Sequence, residues 1–233
     1  ALTAQGKEPV TFSRADSYIG VMIDDLTTRG VTEPYRMFTS RAEFRLSLRA
    51  DNADQRLTPL AIALGCVSQE RVAYFNAKMT KIDAAMAELT KTPYASKAIE
   101  AAGIKVSQDG TKRTGFQLLA FPDVTFEQIV LINPALETVE PEIRRQVERD
   151  ALYANYIARQ QRDIDLLQKD EAHVIPANFD YEAIDGLSNE LTSKLSLTRP
   201  TNLAQAARID GMTPSALTLL LSHLKRGSQK KSA

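Results

Sequence analysis

The chain has 233 residues, 43% of them hydrophobic, and 29 basic against 29 acidic side chains, so its formal net charge is +0. This composition supports a packed core, excludes global disorder, and excludes a uniformly basic coat while allowing local basic patches. One cysteine and two histidines exclude an intrachain disulfide and a Cys/His zinc cluster. The scarcity of cysteine fits a reducing cytosol, so we expect a cytoplasmic protein. No apolar run approaches the ~20 residues that span a bilayer, so we expect no membrane contact.

The N-terminal residues show neither an initial Met nor a signal-peptide pattern, so we expect a piece of a longer protein. Three Thr-Pro pairs place a capping hydroxyl before a proline and predict helix starts at Thr58-Pro59, Thr92-Pro93 and Thr213-Pro214. Three glycines predict helix ends, at Gly65, Gly103 and Gly211. Thr125 and Gln128 form a capping-box pattern. Strand signals are few, and Asp109-Gly110 is either a small hairpin turn or a loop.

Two long helices are predicted. The first covers residues 69–89, where one apolar seam favours a bundle helix over a free coiled coil; the seam is Val72, Phe75, Met79, Ile82, Met86 and Leu89. The second covers residues 141–169 and has an apolar face with Ile143 and Val147. Its opposite face contains Arg145, Arg149 and Tyr156. Either the helix packs against neighbours on both faces, with the arginine side chains extending to solvent, or this face contacts RNA and a partner.

A linker is predicted at residues 173–180, followed by a compact unit of short helices over residues 180–196, 201–209 and 214–225. The chain then ends in a basic tail that begins with Lys225 and Arg226. The fold class predicted is therefore mainly α, with a helical bundle region and a small C-terminal helical domain.

Residues able to carry catalysis are scarce. The glycines never form the G-x-G-x-x-G turn of a dinucleotide-binding domain. His173 and His223 stand in no catalytic motif, and Cys66 has no basic neighbour, which favours a packed, inert thiol. Asp24-Asp25 is interpreted as a solvated helix end, because successive helical residues do not face each other. We expect no catalytic residue and no metal site.

The segment 33–58 is unusual, since it supports two assignments. Ser40 and Glu43 form a capping box that favours a short helix, whereas apolar residues alternate with polar ones from residue 44, which favours a strand. A spacing of four places Arg41, Arg45 and Arg49 on one face in either case. Such a row suits phosphate groups, or else it pairs on the surface with the acidic side chains of Glu43, Asp51 and Asp54.

This segment, EPYRMFTSRAEFRL followed by DNADQRLT, is similar to the signature of the GidA (MnmG) family. Further matching stretches lie in the family's order along the whole chain: YIGVMIDDL before this segment, and YIARQ, GLSNE and QAARIDGMTP after it. The resemblance implies a homodimeric, FAD-dependent enzyme that works with the GTPase MnmE. Together they modify the 5-position of the wobble uridine of tRNA, with NADH and methylene-tetrahydrofolate as co-substrates.

The resemblance also implies a division of the chain. Residues 1–50 resemble the end of the flavin-binding α/β domain, residues 51–175 a helical domain, and residues 176–233 a small helical domain. This implies a region that binds tRNA and MnmE and is inactive alone, with no cofactor of its own. The alternative is a helical scaffold that docks MnmE without touching tRNA.

The resemblance places Arg36, Arg41 and Arg45 on the family's basic signature and Glu190 in a motif of the small terminal domain. The other expected site residues come from the arginine row, the mixed face of the second long helix and the basic tail. The residues expected to bind tRNA are Arg36, Arg41, Arg45, Arg49, Lys225 and Arg226. The residues expected to bind the partner are Glu190, Arg145, Arg149 and Tyr156.

Overall fold

The structure is a computed structural model that describes residues 2–31, 33–107 and 109–231, with side chains described up to residue 226. The described part is mainly α-helical, which confirms the predicted fold class. It divides into two compact units. The middle unit comprises Leu46–Gln160, and the terminal unit combines residues up to Arg45 with residues from Gln161 onward. The expected flavin-domain end at residues 1–50, and the boundary at 175, stay predictions.

The described helices are α1 (Tyr18–Thr28), α2 (Ala53–Ala63), α3 (Gln69–Lys91), α4 (Ser96–Ala101), α5 (Gly115–Leu119), α6 (Phe126–Ile132), α7 (Pro141–Ala172), α8 (Asn189–Thr198), α9 (Leu203–Ala207) and α10 (Pro214–Lys231). Two short strands, β1 (Pro93–Tyr94) and β2 (Arg113–Thr114), pair antiparallel, with Pro93 opposite Thr114. Helix α7 contributes residues to both compact units.

Several helix boundaries confirm the sequence signals. The Thr125 side chain accepts from the Gln128 N–H, and the Gln128 side chain accepts from the Thr125 N–H, so the capping box before α6 is present. The Thr213 hydroxyl likewise accepts from the Ala216 N–H at the start of α10. Both long helices, α3 and α7, form as predicted and extend slightly further.

Other boundaries were predicted wrongly. Helix α2 begins at Ala53, so Pro59 lies inside it, and the Thr58 hydroxyl donates to the Asp54 carboxylate instead of capping the helix. Thr92 ends α3, and Pro93 begins β1.

In the C-terminal region, only Asn189–Thr198 of the predicted helix 180–196 is helical. The preceding residues form turns that place Tyr181 and Ile184 in the core, so side-chain burial replaces helix formation there. Helix α10 continues to Lys231, beyond the predicted start of a basic tail at residue 225.

The core of the middle unit confirms the bundle interpretation of α3. Ile82 and Leu89 of its seam are buried in one apolar cluster that also contains Phe126 and Ile129 of α6 and Val147 of α7. Fully burying side chains of this size is worth about 1.5–3 kcal/mol each. The middle unit therefore has an extensive apolar core of its own.

The terminal unit has a second core, built from Ile175, Tyr181, Leu195, Leu203 and Leu220. In α1 of this unit, a Cβ atom on Gly20 would overlap the backbone oxygen of Ser13, so only glycine permits this close approach. In the part of the chain that the structure describes, none of the helices has both the length and the hydropathy of a membrane-spanning segment.

Candidate nucleic-acid interface

The segment that carries most of the predicted tRNA-binding arginines is neither the helix nor the strand that its sequence suggested. Thr39–Arg41 is a single 3-10 turn, and residues 43–48 are turns and bends. Ser40 caps no helix, and the Glu43 carboxylate accepts from the Arg14 guanidinium, so the predicted capping box is absent. The argument that a spacing of four aligns the three arginines therefore does not apply, and each must be judged by its own surroundings.

A buried ion cluster supports this segment from beneath. Arg14 is only 4% exposed, and its Nη1 donates to Asp24 at 3.0 Å and to Asp25 at 2.7 Å. Its Nη2 donates to the backbone oxygen of Arg41 at 2.8 Å and to Glu43 at 3.0 Å. One buried guanidinium thus joins α1 to the loop that carries Arg41.

The interpretation of Asp24-Asp25 as a solvated helix end was wrong, because both residues are buried. Although adjacent helical residues diverge, Arg14 lies between the two carboxylates and binds both. Arg208, which ends α9, forms an ion pair with Asp24, and its Nη2 donates to the carboxylate at 2.6 Å. Both carboxylates are therefore bound by arginine side chains inside the protein and do not form a solvated helix end.

Asp25 also holds the side chain of Arg41. Its Oδ2 accepts from the Tyr35 hydroxyl at 3.0 Å and from Arg41 Nη1 at 3.4 Å. Burial alone would raise the pKa of Asp25, but hydrogen bonds from Arg14 and Tyr35 outweigh burial and hold the pKa below its ordinary value. The carboxylate stays charged at neutral pH and can fix Arg41 in place.

Above this cluster the surface forms a hollow of about 560 Å³, here called the arginine–aromatic hollow. The residues of its lining that matter for binding are Arg29, Glu33, Tyr35, Arg36, Phe38 and Arg41. Arg41 Cζ lies 4.8 Å from the centroid of the Tyr35 ring, and Arg36 Cζ lies 5.5 Å from that of Phe38. Three guanidiniums and two aromatic rings therefore surround one opening that also contains a single carboxylate.

The arginines of the signature differ in what they can offer. Arg36 and Arg45 are exposed, and Arg41 has 34% of its side chain exposed. In the middle unit, the Arg49 side chain is only 8% exposed, and its Nη2 donates to Asp51 at 3.1 Å and to Asp150 at 2.7 Å. Arg49 also lies over the Tyr153 ring. This burial favours a structural role for Arg49, and its binding of tRNA stays a prediction.

The remaining predicted tRNA-binding residues, Lys225 and Arg226, are exposed in α10 of the terminal unit. They lie inside the helix and not in the tail that the sequence suggested. Their binding role stays a prediction.

The predicted partner-binding residues are also at the surface. Glu190 lies in the first turn of α8 with 75% of its side chain exposed, and it pairs with Lys194 at 2.7 Å. On α7 of the middle unit, Arg145, Arg149 and Tyr156 are exposed, as expected for the face opposite Ile143 and Val147.

Sequence reasoning missed three contributors. Arg14 and Arg208 carry no periodic signal, because their partners are distant in sequence or lie in a different element. Arg29 follows directly after α1 and lines the hollow, which no motif indicated. The Arg36–Phe38 spacing in the signature was the one available sign of an aromatic contribution.

Within the described residues, no group of three or more His, Cys, Asp or Glu side chains has the arrangement of a metal site. The prediction of a packed Cys66 was wrong, since its thiol is exposed just after the turn that ends α2.

Comparison with known proteins gives matches across the chain. The family described as "tRNA modifying enzyme MnmG/GidA C-terminal helical domain" matches residues 69–161. The one described as "tRNA modifying enzyme MnmG/GidA C-terminal helical bundle" matches residues 163–233.

Individual relatives extend this similarity to the signature segment. The tRNA uridine 5-carboxymethylaminomethyl modification enzyme MnmG of Granulibacter bethesdensis is 44% identical over 98% of this chain and 36% of its own length. The enzyme of the same name from Geobacillus thermodenitrificans is 42% identical over 96% of this chain and 36% of its own length. The solved structure of Aquifex aeolicus GidA has a TM-score of 0.81 and 38% identity, covering 96% of this chain and 35% of that one. The chain thus spans little more than a third of the length of these relatives.

Proposed function

This chain belongs to the MnmG/GidA family of tRNA-modifying enzymes, and on that premise we propose that it is the region through which the parent enzyme holds tRNA. The observation that carries the proposal is the arginine–aromatic hollow, in which Arg29, Arg36 and Arg41 gather around two aromatic rings. The parent enzyme, working with the GTPase MnmE, would modify the 5-position of the wobble uridine.

The chemistry of the hollow fits RNA. Guanidinium groups bind phosphate through a planar, permanently charged fork, and aromatic rings stack on unpaired bases. Arg41 is already held by Asp25 and Tyr35, so it loses little conformational freedom when a phosphate binds. This arrangement supports a binding role even though the chain as a whole has no net charge.

The redox chemistry belongs elsewhere in this proposal. FAD would supply electron transfer in the parent enzyme, with NADH and methylene-tetrahydrofolate as co-substrates. The glycines of this sequence form no dinucleotide-binding turn, so the sequence contains no recognisable loop for the FAD pyrophosphate. We therefore propose that the flavin site lies mostly in the remaining length of the parent protein, which we propose to be a cytoplasmic homodimer, and we give this region no catalytic residue.

The binding role is tested by replacing Arg36, Arg41 and Arg45 together with Ala in the 233-residue chain. We expect tRNA affinity to fall roughly 10–100-fold at low salt, and the slope of log K against log salt to become shallower by about two phosphate contacts. Fluorescence anisotropy with labelled tRNA measures both quantities.

The matched control is Arg162→Ala, which removes an exposed arginine of α7 outside the signature. It should change affinity and slope little. If the loss of log affinity in the triple variant is only about three times the loss in this single variant, RNA senses only total charge, and the hollow is removed from the proposal.

A second candidate function, docking of MnmE, is favoured by the exposure of Glu190 at the start of α8. Arg145, Arg149 and Tyr156 are proposed as further partner contacts because they too are exposed. If this function stood alone, the chain would bind MnmE firmly and tRNA weakly.

Replacement of Glu190 by Ala is expected to weaken MnmE binding about tenfold or more, while the melting temperature stays nearly unchanged, because its ion pair with Lys194 is at the surface. Isothermal titration with MnmE measures the affinity. Glu182→Ala, which removes an exposed carboxylate outside α8, is the control. Unchanged affinity in the Glu190 variant would exclude it as a docking residue.

A further inference from the structure

The exposed ring of Phe38 is the feature of the hollow that phosphate binding does not explain. Phe38 is 51% exposed, and the only ring or charge contact described for it is with the Arg36 guanidinium, 5.5 Å from its centroid. Phosphate gains nothing from an aromatic face, whereas a nucleobase stacks on one. The exposed ring and the guanidinium that lies over it are both planar groups on which a base can stack.

The other residues of the hollow provide separate contacts for a phosphate group and for a base. Arg41 is fixed by Asp25 and backed by the Tyr35 ring, and Arg29 supplies a second guanidinium in the same lining. Glu33 is the one carboxylate of the lining, so it repels phosphate but accepts hydrogen bonds from the N–H groups of a base. The volume of about 560 Å³ is within the range of sites that hold one small ligand.

We propose that the arginine–aromatic hollow holds a single unpaired nucleotide of the bound RNA. Its base stacks on Phe38, and its phosphate lies against Arg41 and Arg29. This rests on the proposed tRNA-binding function and makes it specific, because paired bases inside a duplex present no free face to stack. Phe38 is then a stacking residue and Glu33 a contact to the base edge.

The test compares two RNAs and four side chains at position 38, using the 233-residue chain. The RNAs are tRNA, which has unpaired loop nucleotides, and a fully paired RNA duplex of similar charge. Phe38→Ala is expected to weaken tRNA binding roughly 5–100-fold and to leave duplex binding unchanged. Phe38→Trp should restore tRNA affinity, whereas Phe38→Leu, which is apolar but cannot stack, should not.

Two controls separate this proposal from others. Arg41→Ala should weaken binding of both RNAs, because it removes a phosphate contact that duplex and loop share. Phe121→Ala removes a ring of similar exposure, 45%, in the middle unit and should alter neither affinity. Melting temperatures of all variants check that the fold is retained.

Each outcome decides between the possibilities. If Leu restores binding as well as Trp, or if Ala weakens duplex and tRNA equally, stacking of an unpaired nucleotide is contradicted while the proposed function stands. If Phe38→Ala changes only the melting temperature, the ring contributes to packing and not to RNA binding, and the inference fails. If the unaltered chain binds neither RNA, the proposed function fails as well.

Discussion

Replacement of Arg14 by Ala is expected to lower the free energy of unfolding by about 3–5 kcal/mol. The guanidinium is 4% exposed and is shared by Asp24, Asp25 and Glu43. Its removal leaves two buried carboxylates next to each other with fewer counter-charges. Removing one partner of a buried ion pair leaves a buried charge without compensation, which costs much more stability than the loss of an exposed ion pair. Urea denaturation of the 233-residue chain measures the difference.

The same replacement should also release the loop that carries Arg41, since Arg14 donates to its backbone oxygen. Arg29→Ala is the matched control, because that arginine is exposed in the same unit. It should change stability by less than about 0.5 kcal/mol. A stability loss below about 1 kcal/mol in the Arg14 variant would show that the cluster repacks, and that Arg41 is not held from beneath as described.

Replacement of Arg49 by Ala is expected to destabilise the middle unit by about 2–3 kcal/mol, because Arg49 binds Asp51 and Asp150 with little access to water. Both carboxylates keep partial solvent contact, which limits the loss. We expect little change in the salt slope of tRNA binding, since a guanidinium with two carboxylate partners has little charge left for phosphate. Thermal denaturation and anisotropy on the same sample separate the two effects.

Arg45→Ala, in the same signature, is expected to affect tRNA binding and not stability, the reverse of Arg49→Ala. Arg45 is exposed, so its loss should weaken tRNA binding and leave the melting temperature nearly unchanged. If Arg49→Ala instead reduces the salt slope by a full phosphate contact at unchanged stability, Arg49 binds RNA directly and its burial has been given too much weight.

The helices were largely predictable because their signals are local. The seam of α3 and the Thr125–Gln128 box each depend on residues within a few positions, and both appear as predicted. Pro59 shows the limit of such signals. A Thr-Pro pair is compatible with a helix start, but a helix that already runs from Ala53 accommodates the proline.

The interior of the site was not predictable, because it depends on contacts between elements. Arg14 is 29 positions from Glu43, and Arg208 is 184 positions from Asp24. Neither distance leaves a periodic trace. The rule that adjacent helical residues do not face each other is correct for Asp24 and Asp25, yet an arginine from outside the helix binds both. The exposed arginines were named as candidates from the signature, but their geometry depends on the loop, and their role in binding stays a prediction.

The central claim is that this region of the enzyme contacts tRNA through phosphate and base. The most direct test is the affinity of the unaltered 233-residue chain for labelled tRNA, measured by anisotropy from about 50 to 200 mM salt. Two or three arginine–phosphate contacts predict binding that weakens as salt rises, with a log–log slope of about −2 to −3. A folded chain that binds no tRNA, or binds it with no dependence on salt, would contradict the claim and leave this region as a dock for MnmE.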